Sequence, residues 1–515
     1  MLKQAPLLLA FLLFHTIGRA QQPAFYHYET DLRAVNQDRV QVQLNLNATP
    51  DSTAVFCFPK MVPGIYGVMD FGQFIENLNA VDSLGNTLEI MRLDTNRWEI
   101  KNAHLLHHLN YEVNDGWEEF SMKTERDEFY RSASCTFHDR ALVINNNCLF
   151  GYFEGKEKEP IELRIHKPTK YYGASSLKNH AESDSLDRFW ASDYHYLVDN
   201  PILYSQPDTS HIHLPNIEVL VACYSTTGQK ISKDVSEHIA QLLENQRSYL
   251  GGELPVDHYT FLLYHNPSPS RYSYMGDGLE HAHSTLILLC VPWDKDLIVN
   301  NVYGIASHEF FHTVMPLGLH SFEIEEYNFS QPVLSRHLWL YEGMTEYFSV
   351  HMPMKNGLQT EADFLKELER KIRDSKQFDN SLSLTDLSVH AMERQDQYYN
   401  FYLKGTLVCL CLDIHLRELS DGKYGVQELI QDLLAAYGPD KPFEDAQLFS
   451  EIARISGYPE VKDFLEDYIA NGKPLPLESY LLKVGYELGA NQVKIRPIDE
   501  LSPEQAQLRK HWIAH

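Results

Sequence analysis

The stretch HEFFH at residues 308–312 places two histidines four positions apart, with a glutamate directly after the first. On an α-helix, positions i and i+4 lie on one face, so His308 and His312 can bind one metal ion through their imidazoles. Glu309 would then lie where it can take a proton from a water molecule beside the ion. This pattern predicts metal-assisted hydrolysis, with zinc as the expected ion.

A chance match is the alternative, because the chain contains 25 histidines. The flanking sequence NVYGIASHEFFHTV is apolar and compatible with a helix, as expected for a buried site. Catalytic zinc takes three protein ligands and leaves one position open, so a third ligand has to be found.

Two residues are candidates for the third ligand. His320 lies eight positions after His312, but Pro316 and Gly318 intervene and indicate that the helix has ended. In that case His320 is a histidine of a loop. Glu342 lies in HLWLYEGMTEYFSV at residues 337–350, which is an apolar run with the pattern of a helix.

Two acids share that apolar helix, because Glu342 and Glu346 are spaced i, i+4. Burying carboxylates costs several kcal/mol unless a cation or strong donors compensate. We therefore predict Glu342 as the third ligand and Glu346 as the carboxylate that orients a metal-bound histidine. The alternative is a partly exposed helix with both acids in water.

The elements that must position these residues change character along the chain. From residue 25 to about 165, apolar and polar residues alternate, as in RVQVQLNLN and IELRIH, which predicts strands. We expect a β-sandwich at residues 21–170. Residues 167–193 are polar and rich in serine and tyrosine, and we interpret them as a linker.

The second half of the chain is predicted to be mixed and then helical. The runs IEVLVACY, HYTFLLYH and STLILLC have the composition of strands, whereas EADFLKELERKIRD, GTLVCLCLDIHLREL and GVQELIQDLLAAYG have the spacing of amphipathic helices. The predicted fold class is multidomain α+β. It comprises the β-sandwich, a mixed α/β catalytic domain at residues 190–400 and a helical lobe at 401–515.

Charge and the first residues indicate the environment of the protein. The 44 Lys and Arg against 71 Asp and Glu give a net charge of −27, which argues against nucleic acid or an anionic membrane as partner. Residues 1–20 combine Lys3, an apolar run and the small residues Gly18 and Ala20, the layout of a signal peptide. We expect a protein without a membrane span or lipid anchor, exported to a periplasm or outside the cell.

Seven cysteines are scattered along the chain without a CxxC pair. A dense disulfide framework is therefore not expected, although Cys135 and Cys148 could pair in an oxidising compartment. The other cysteines lie in apolar runs and are expected in the core.

Several separated blocks together resemble a known family. HEFFH followed by a separate helix with WLYEG is similar to the gluzincin metallopeptidases. FPKMVPGIYGVMDFGQFIENLNAVDSLGN with TNRWEI, then GDGLEHAHS, HEFFH, LWLYEGMTEYF and FYLKG, resemble the glycyl aminopeptidase family (metallopeptidase family sixty-one) in the same order. The likeness covers about residues 25 to 485.

The resemblance implies a thermolysin-like catalytic domain with one zinc ion per chain. It also implies hydrolysis at peptide N-termini, often after glycine or alanine. Glu280 in GDGLEH matches the acid that would bind the free α-ammonium of the substrate, and Tyr402 in FYLKG matches the tyrosine that would stabilise the oxyanion. From the residues alone, Glu280 could be a turn acid before a strand and Tyr402 a core tyrosine.

Two departures from the family pattern concern the substrate. Many members carry a C-terminal PDZ domain, for which this sequence shows no counterpart. After HEFFH the chain continues TVMPLGLHSFEIEEY, where many members have a tryptophan, an asparagine and a basic stretch. Substrate preference therefore need not follow the family.

The predicted function is removal of N-terminal residues from peptides by an exported zinc aminopeptidase. The strand STLILLC, just after Glu280, is expected to offer its edge to the extended substrate backbone. One alternative is an endopeptidase with the same metal site. The other is a peptide-binding scaffold without catalysis, against which the intact Glu309 argues.

Overall fold

The computed structural model describes residues 24–46, 51–117, 131–138, 140–267 and 276–513, so the predicted signal peptide lies outside the described residues. The strands are, in chain order, β1 (Tyr26–Asp31), β2 (Arg39–Leu46), β3 (Thr53–Cys57), β4 (Ile75–Asp82), β5 (Ile90–Arg92), β6 (Arg97–Lys101), β7 (Leu106–Asn114), β8 (Thr136–His138), β9 (Ala141–Ile144), β10 (Tyr152–Phe153), β11 (Ile161–His166), β12 (Tyr172–Ala174), β13 (Leu186–Ala191), β14 (Ile202–Ser205), β15 (Thr209–Leu214), β16 (Ile217–Ser225), β17 (His258–His265), β18 (Gly276–Glu280), β19 (Ser284–Leu289), β20 (Tyr486–Leu488) and β21 (Ile495–Pro497).

Helices are concentrated in the second half of the chain. They are α1 (Asn146–Leu149), α2 (Tyr194–Val198), α3 (Ser232–Tyr249), α4 (Lys295–Phe311), α5 (Phe322–Glu325), α6 (Thr345–Lys355), α7 (Glu361–Ser375), α8 (Leu384–Val389), α9 (Gln395–Tyr398), α10 (Thr406–Leu419), α11 (Val426–Ala436), α12 (Leu448–Ser456), α13 (Glu460–Leu465), α14 (Leu477–Lys483) and α15 (Pro503–Ile513). Among the described residues, three segments are π-helical, namely Trp339–Met344, Phe401–Gly405 and Glu466–Ala470.

The N-terminal β-domain is built from three sheets. A six-stranded sheet in the order β13-β11-β1-β2-β7-β4 packs against a four-stranded sheet in the order β10-β3-β6-β5. In β2, Val40, Val42 and Leu44 are buried, because alternate side chains of a strand point to the same face. The predicted β-rich N-terminal domain is confirmed.

The third sheet connects this domain to the catalytic domain. Its strands follow the order β12-β14-β9-β8. Ile144 and Ile202 face the β-domain core, whereas Val143 and Leu203 pack on Leu286 of the catalytic domain. Both faces of this short sheet are therefore covered, and the two domains are held against each other.

The linker interpretation of residues 167–193 is wrong. The segment contains β12 and β13, and β13 pairs antiparallel with β11 over its whole length. Its buried positions are Asp187, Phe189 and Ala191. The acid at a core position hid the alternation in the sequence, and buried Lys167, 3.9 Å from Asp187, offsets its charge.

The catalytic domain begins with a five-stranded sheet in the order β15-β16-β17-β19-β18. Strands β16, β17 and β19 run parallel, and β18 pairs antiparallel with β19. The expectation that STLILLC offers an edge is therefore wrong, because β19 is paired on both sides. The outer strand of this part of the described sheet is β18, which ends at Glu280.

The remaining chain is mostly helical, as its periodicity predicts, apart from the antiparallel pair β20 and β21. In α7, Phe364, Leu368 and Ile372 are buried on one face, and α10 is buried along most of its length. In the part of the chain that the structure describes, no helix is both long and apolar enough to cross a membrane. The seven cysteines keep their thiols, and those of Cys135 and Cys148 donate to backbone carbonyls.

Candidate active site

Helix α4 carries HEFFH at its C-terminal end. The side chain of Asp294 caps its first turn by accepting a hydrogen bond from the backbone of Leu297 at 2.8 Å. His308 and Glu309 lie in the last turn, and His312 is the residue that ends the helix. All three are buried, as the apolar flanks predict.

Three side chains converge at the end of α4. Nε2 of His308 lies 3.4 Å and Nε2 of His312 lies 3.7 Å from Oε2 of Glu342. Glu342 is 1 % exposed, and its Oε2 has no hydrogen-bond partner among the described residues. Two imidazole nitrogens and an unpaired buried carboxylate oxygen are the donor set that catalytic zinc takes, so these residues fit the ion.

Hydrogen bonds to the other ring nitrogens fix both tautomers. Nδ1 of His308 donates to Oε2 of Glu346 at 2.8 Å, and Nδ1 of His312 donates to the carbonyl of Met315 at 3.1 Å. Because both partners are acceptors, each Nδ1 carries the proton and each Nε2 keeps its lone pair. The structure thus brings Glu346 to the position expected of an orienting residue.

Lys371 of α7 completes this arrangement and was not identified from the sequence. Its ammonium is buried and binds the other oxygen of Glu346. Burial opposes ionisation of Glu346, but Lys371 and then His308 outweigh it and hold the pKa of the carboxyl well below its usual value. The signal in the sequence was a lysine within the apolar stripe of α7, between Leu368 and Ser375.

Glu342 lies in a π-helical turn, where the sequence predicted ordinary helix. The turn Trp339–Met344 crosses the turn Phe401–Gly405. A Cβ on Gly343 would lie 2.8 Å from Cα of Gly405, so only glycine allows this approach. The crossing places Tyr402 beside the metal ligands, and its ring centroid lies 5.4 Å from that of His308.

Glu309 and Glu280 face the same space from two elements. One carboxylate oxygen of each lies within 4.8 Å of the other and of a His312 nitrogen. Gly278 of β18 leaves the space that the Glu309 side chain occupies, because a Cβ at residue 278 would lie 2.6 Å from Oε1 of Glu309. Glu280 is buried, and its Oε1 lacks a hydrogen-bond partner among the described residues.

The electrostatics of this space favour cations. Burial raises the pKa of Glu309 to about 8 and, with the charges of Glu342 and Glu309, raises the pKa of Glu280 well above its usual value. Burial opposes ionisation of Glu342, but the imidazoles of His312 and His308 keep its pKa low. Glu280, Glu309 and Glu342 place several carboxyl groups in this buried space. A divalent cation and a substrate ammonium would stabilise their ionised forms.

His320 lies away from this cluster. Its Nε2 pairs with Oε2 of Glu325 at 2.8 Å, and its carbonyl accepts a hydrogen bond from the backbone of Phe443. The loop that follows HEFFH therefore continues to other parts of the molecule. Phe329 of this loop packs on Tyr152 and Tyr194 in the core of the β-domain.

The sequence of this chain matches two models of one protein family. The model of the Peptidase M61 N-terminal domain matches residues 27–206, and that of the M61 glycyl aminopeptidase matches residues 301–408. The chain belongs to the M61 glycyl aminopeptidase family. It is therefore a metalloaminopeptidase, a hydrolase that acts on peptide bonds with a zinc cofactor.

Solved structures show the same fold. An aminopeptidase N family protein from Idiomarina loihiensis is 23% identical, with a TM-score of 0.77 over 93% of this chain and 82% of that one. An M1 zinc metallopeptidase from Deinococcus radiodurans is 12% identical, with a TM-score of 0.52 over 88% and 94% of the two chains. A variant of that enzyme was solved with a Tyr-Ser-Ala substrate. Among curated proteins, no relative matches this peptidase.

One part of the site of this peptidase was not foreseen from the sequence. Residues 60–70 of the β-domain form a loop that enters the catalytic domain and brings Gly64 and Tyr66 to Glu280. The sequence places the block FPKMVPGIYGVMDFG only in the predicted β-sandwich. Contacts between distant parts of the chain leave no periodic signal, so local patterns could not have found this one.

Proposed function

We propose that this peptidase removes single residues from the free N-terminus of peptides, with Glu280 binding the α-ammonium and Glu309 acting as the general base. The observation that carries the proposal is the buried Glu280 carboxylate, with one oxygen unpaired, next to Glu309 and His312. Leaving such an oxygen without a partner costs free energy, which a substrate ammonium would recover. When Glu280 binds the α-ammonium, the first peptide bond of the substrate lies beside Glu309 and the metal ligands, so this is the bond that is cut.

One zinc ion per chain would be held by His308, His312 and Glu342. When bound, the ion supplies Lewis-acid polarisation of the scissile carbonyl and acidifies a water molecule. Glu346 supports this role by orienting His308 through the 2.8 Å hydrogen bond, with Lys371 fixing Glu346 in turn.

Glu309 would move the proton of the reaction. Its carboxylate accepts a proton from the attacking water and then donates it to the nitrogen of the leaving amine. The close contact with Gly278 limits where the carboxylate can lie, and burial raises the pKa of Glu309 to about 8, which makes it a stronger base for the proton of water.

Tyr402 would donate a hydrogen bond to the oxyanion that develops on the scissile carbonyl. Its hydroxyl lies 3.1 Å from that of Tyr398, which limits its rotation. Burial, followed by the charge of Glu342, raises the pKa of Tyr402 well above its usual value, so the hydroxyl keeps its proton. Removing one such donor costs about 3 to 4 kcal/mol of barrier.

The outer strand β18 would receive the substrate backbone. It ends at Glu280, so a peptide paired along it would reach the carboxylate with its N-terminus. We also propose a preference for small first residues such as glycine and alanine, and export through the N-terminal apolar segment. The family membership supports the first of these two and the sequence of residues 1–20 the second.

A pair of peptides tests the proposal. The zinc-loaded enzyme should hydrolyse an alanyl peptide at its first bond and leave the N-acetylated peptide intact. Glu280→Gln should lower kcat/KM for the free peptide without loss of zinc, because only the amine loses its partner. Equal hydrolysis of both peptides by the wild-type enzyme would instead support an endopeptidase.

A further inference from the structure

The loop of residues 60–70 lies between the two domains, and hydrogen bonds hold its two ends together. The carbonyl of Lys60 accepts hydrogen bonds from the backbones of Met69 and Asp70, both at 2.9 Å. The backbone of Lys60 in turn donates to the carbonyl of Phe329 at 2.8 Å. The loop is therefore a compact unit with a fixed base, which we call the 60–70 loop.

The 60–70 loop is buried on two sides. Val62 and Ile65 belong to the core of the β-domain, whereas Met61 and Tyr66 belong to the core of the catalytic domain. A loop packed into both cores has a defined position relative to the catalytic residues.

Tyr66 is held at the catalytic side of the loop. Its carbonyl accepts a hydrogen bond from Nε2 of Gln395 at 2.6 Å, and its ring lies 5.6 Å from that of Tyr398. Because Tyr398 also contacts the hydroxyl of Tyr402 at 3.1 Å, the three tyrosines form one packed group beside the metal ligands.

The neighbouring Gly64 locates the loop against the amine-binding residue. It has φ +81°, and a Cβ there would lie 2.7 Å from Cδ and from both carboxylate oxygens of Glu280. The loop backbone thus covers one side of Glu280, and Tyr66 follows two residues later. The Tyr66 side chain is 6 % exposed.

The hydroxyl of Tyr66 lies near the two carboxylates that bracket the first residue of the substrate. Glu342 and Glu280 are the charged groups that act most strongly on this hydroxyl. A tyrosine hydroxyl has one proton that it can donate in a hydrogen bond. In the proposed function, Glu280 holds the amine and Glu342 the ion, so the carbonyl of that residue lies between them.

We propose that Tyr66 of the N-terminal β-domain is a catalytic residue that donates a second hydrogen bond to the oxyanion, in addition to that of Tyr402. The proposal rests on the proposed function, because it takes the position of the carbonyl from Glu280 and the metal ligands. It follows that the active site is complete only when the β-domain is docked. Two donors on one developing charge would stabilise the transition state more than the ground state.

Tyr66→Phe tests the proposal because it keeps the ring and removes only the hydroxyl. We expect kcat to fall about 100-fold, with KM and zinc content unchanged. Tyr111→Phe is the matched control, because it also removes a buried tyrosine hydroxyl of the β-domain. That hydroxyl donates to the carbonyl of Leu149 at 2.9 Å. Both residues are distant in sequence from the metal ligands. The control should keep the wild-type kcat.

A second measurement separates catalysis from packing. An alanine-derived phosphinic dipeptide, which mimics the tetrahedral state, should bind Tyr66→Phe more weakly by the same factor as kcat/KM falls. Inhibition by free alanine, which lacks that state, should be unchanged. Wild-type kcat in Tyr66→Phe, loss of zinc, or an undiminished affinity for the phosphinic dipeptide would overturn the proposal.

The proposed function fails by a different result. If the wild-type enzyme cleaves N-acetylated peptides equally well, the role of Glu280 is wrong. The comparison of Tyr66→Phe with Tyr111→Phe then still decides whether the Tyr66 hydroxyl acts in the reaction, because both variants are measured against wild type on the same substrate.

Discussion

Nδ1 of His308 lies 2.8 Å from Oε2 of Glu346, and the opposite ring nitrogen faces Glu342. A carboxylate accepting from Nδ1 fixes the ring and raises the basicity of Nε2. The buried ammonium of Lys371 keeps Glu346 ionised, so the hydrogen bond acts through a full charge. Glu346 should therefore control metal affinity without contacting the ion.

Glu346→Gln should weaken zinc binding by about 10- to 100-fold, because a neutral amide polarises His308 less. Competition with a chromogenic chelator measures the affinity. Glu451→Gln is a suitable control, because Glu451 forms an ion pair with Arg454 on the helical lobe. Equal zinc affinity of Glu346→Gln and wild type would contradict the orienting role.

Glu309→Gln should retain zinc and lose hydrolysis. The amide cannot accept the proton of water, and general acid–base groups contribute about 10² to 10⁴ in rate. Zinc content by elemental analysis and kcat on an alanyl reporter substrate should be measured on one preparation. Wild-type turnover in this variant would remove Glu309 from the mechanism.

Gly278→Ala should lower kcat while zinc stays bound. The added Cβ would meet Oε1 of Glu309 at 2.6 Å and displace the base, whereas the metal ligands are untouched. Gly304→Ala is the matched control on α4, where a Cβ meets no atom of the described residues within 4 Å. That control should keep the rate and stabilise the helix by about 0.5 to 1 kcal/mol. If both variants behave alike, the contact with Glu309 has no effect on catalysis.

Asp413 and Arg417 form a buried ion pair in α10 that should make stability depend on pH. Oδ1 of Asp413 accepts from Nε of Arg417 at 3.0 Å, and Oδ2 accepts from the hydroxyl of Tyr347 at 2.7 Å. Burial opposes ionisation of Asp413, but Arg417 and His351 outweigh it and lower its pKa. A lowered folded pKa means that the stabilisation is present above the unfolded pKa of about 3.9 and is lost as pH falls through the folded value.

Asp413→Asn should therefore lower the free energy of unfolding by about 3 to 5 kcal/mol at pH 7, because Arg417 loses its charged partner. The difference from wild type should shrink as the pH falls below about 4. Urea unfolding at a series of pH values measures both effects. Asp363→Asn, at an exposed ion pair with Lys366, should leave stability nearly unchanged. A difference that does not vary with pH would contradict the assignment.

Short-range patterns predicted the metal cluster better than the contacts around it. HEFFH and WLYEG selected His308, His312 and Glu342, which the structure brings together, because acids and imidazoles on apolar helices need a compensating partner and helix geometry fixes their spacing. Strands were predicted wherever apolar and polar residues alternate. β13 was missed because Asp187 occupies a core position, balanced by a lysine distant in sequence.

Residues supplied from distant segments could not be predicted in this way. Lys371 reaches Glu346 from another helix, and Tyr66 reaches the site from another domain. The π-helical turn at Glu342 packs closely through Gly343 on Gly405, a residue distant in sequence. Such placements follow from tertiary packing, about which the period of a single segment carries no information.

The zinc content of Glu342→Ala, compared with that of His320→Ala, tests the proposed metal site most directly. Oε2 of Glu342 lies 3.4 Å and 3.7 Å from the two imidazole nitrogens, whereas His320 is paired with Glu325. Elemental analysis should find about one zinc per chain in wild type and in His320→Ala, and almost none in Glu342→Ala. Zinc retained in Glu342→Ala but lost in His320→Ala would contradict the ligand set.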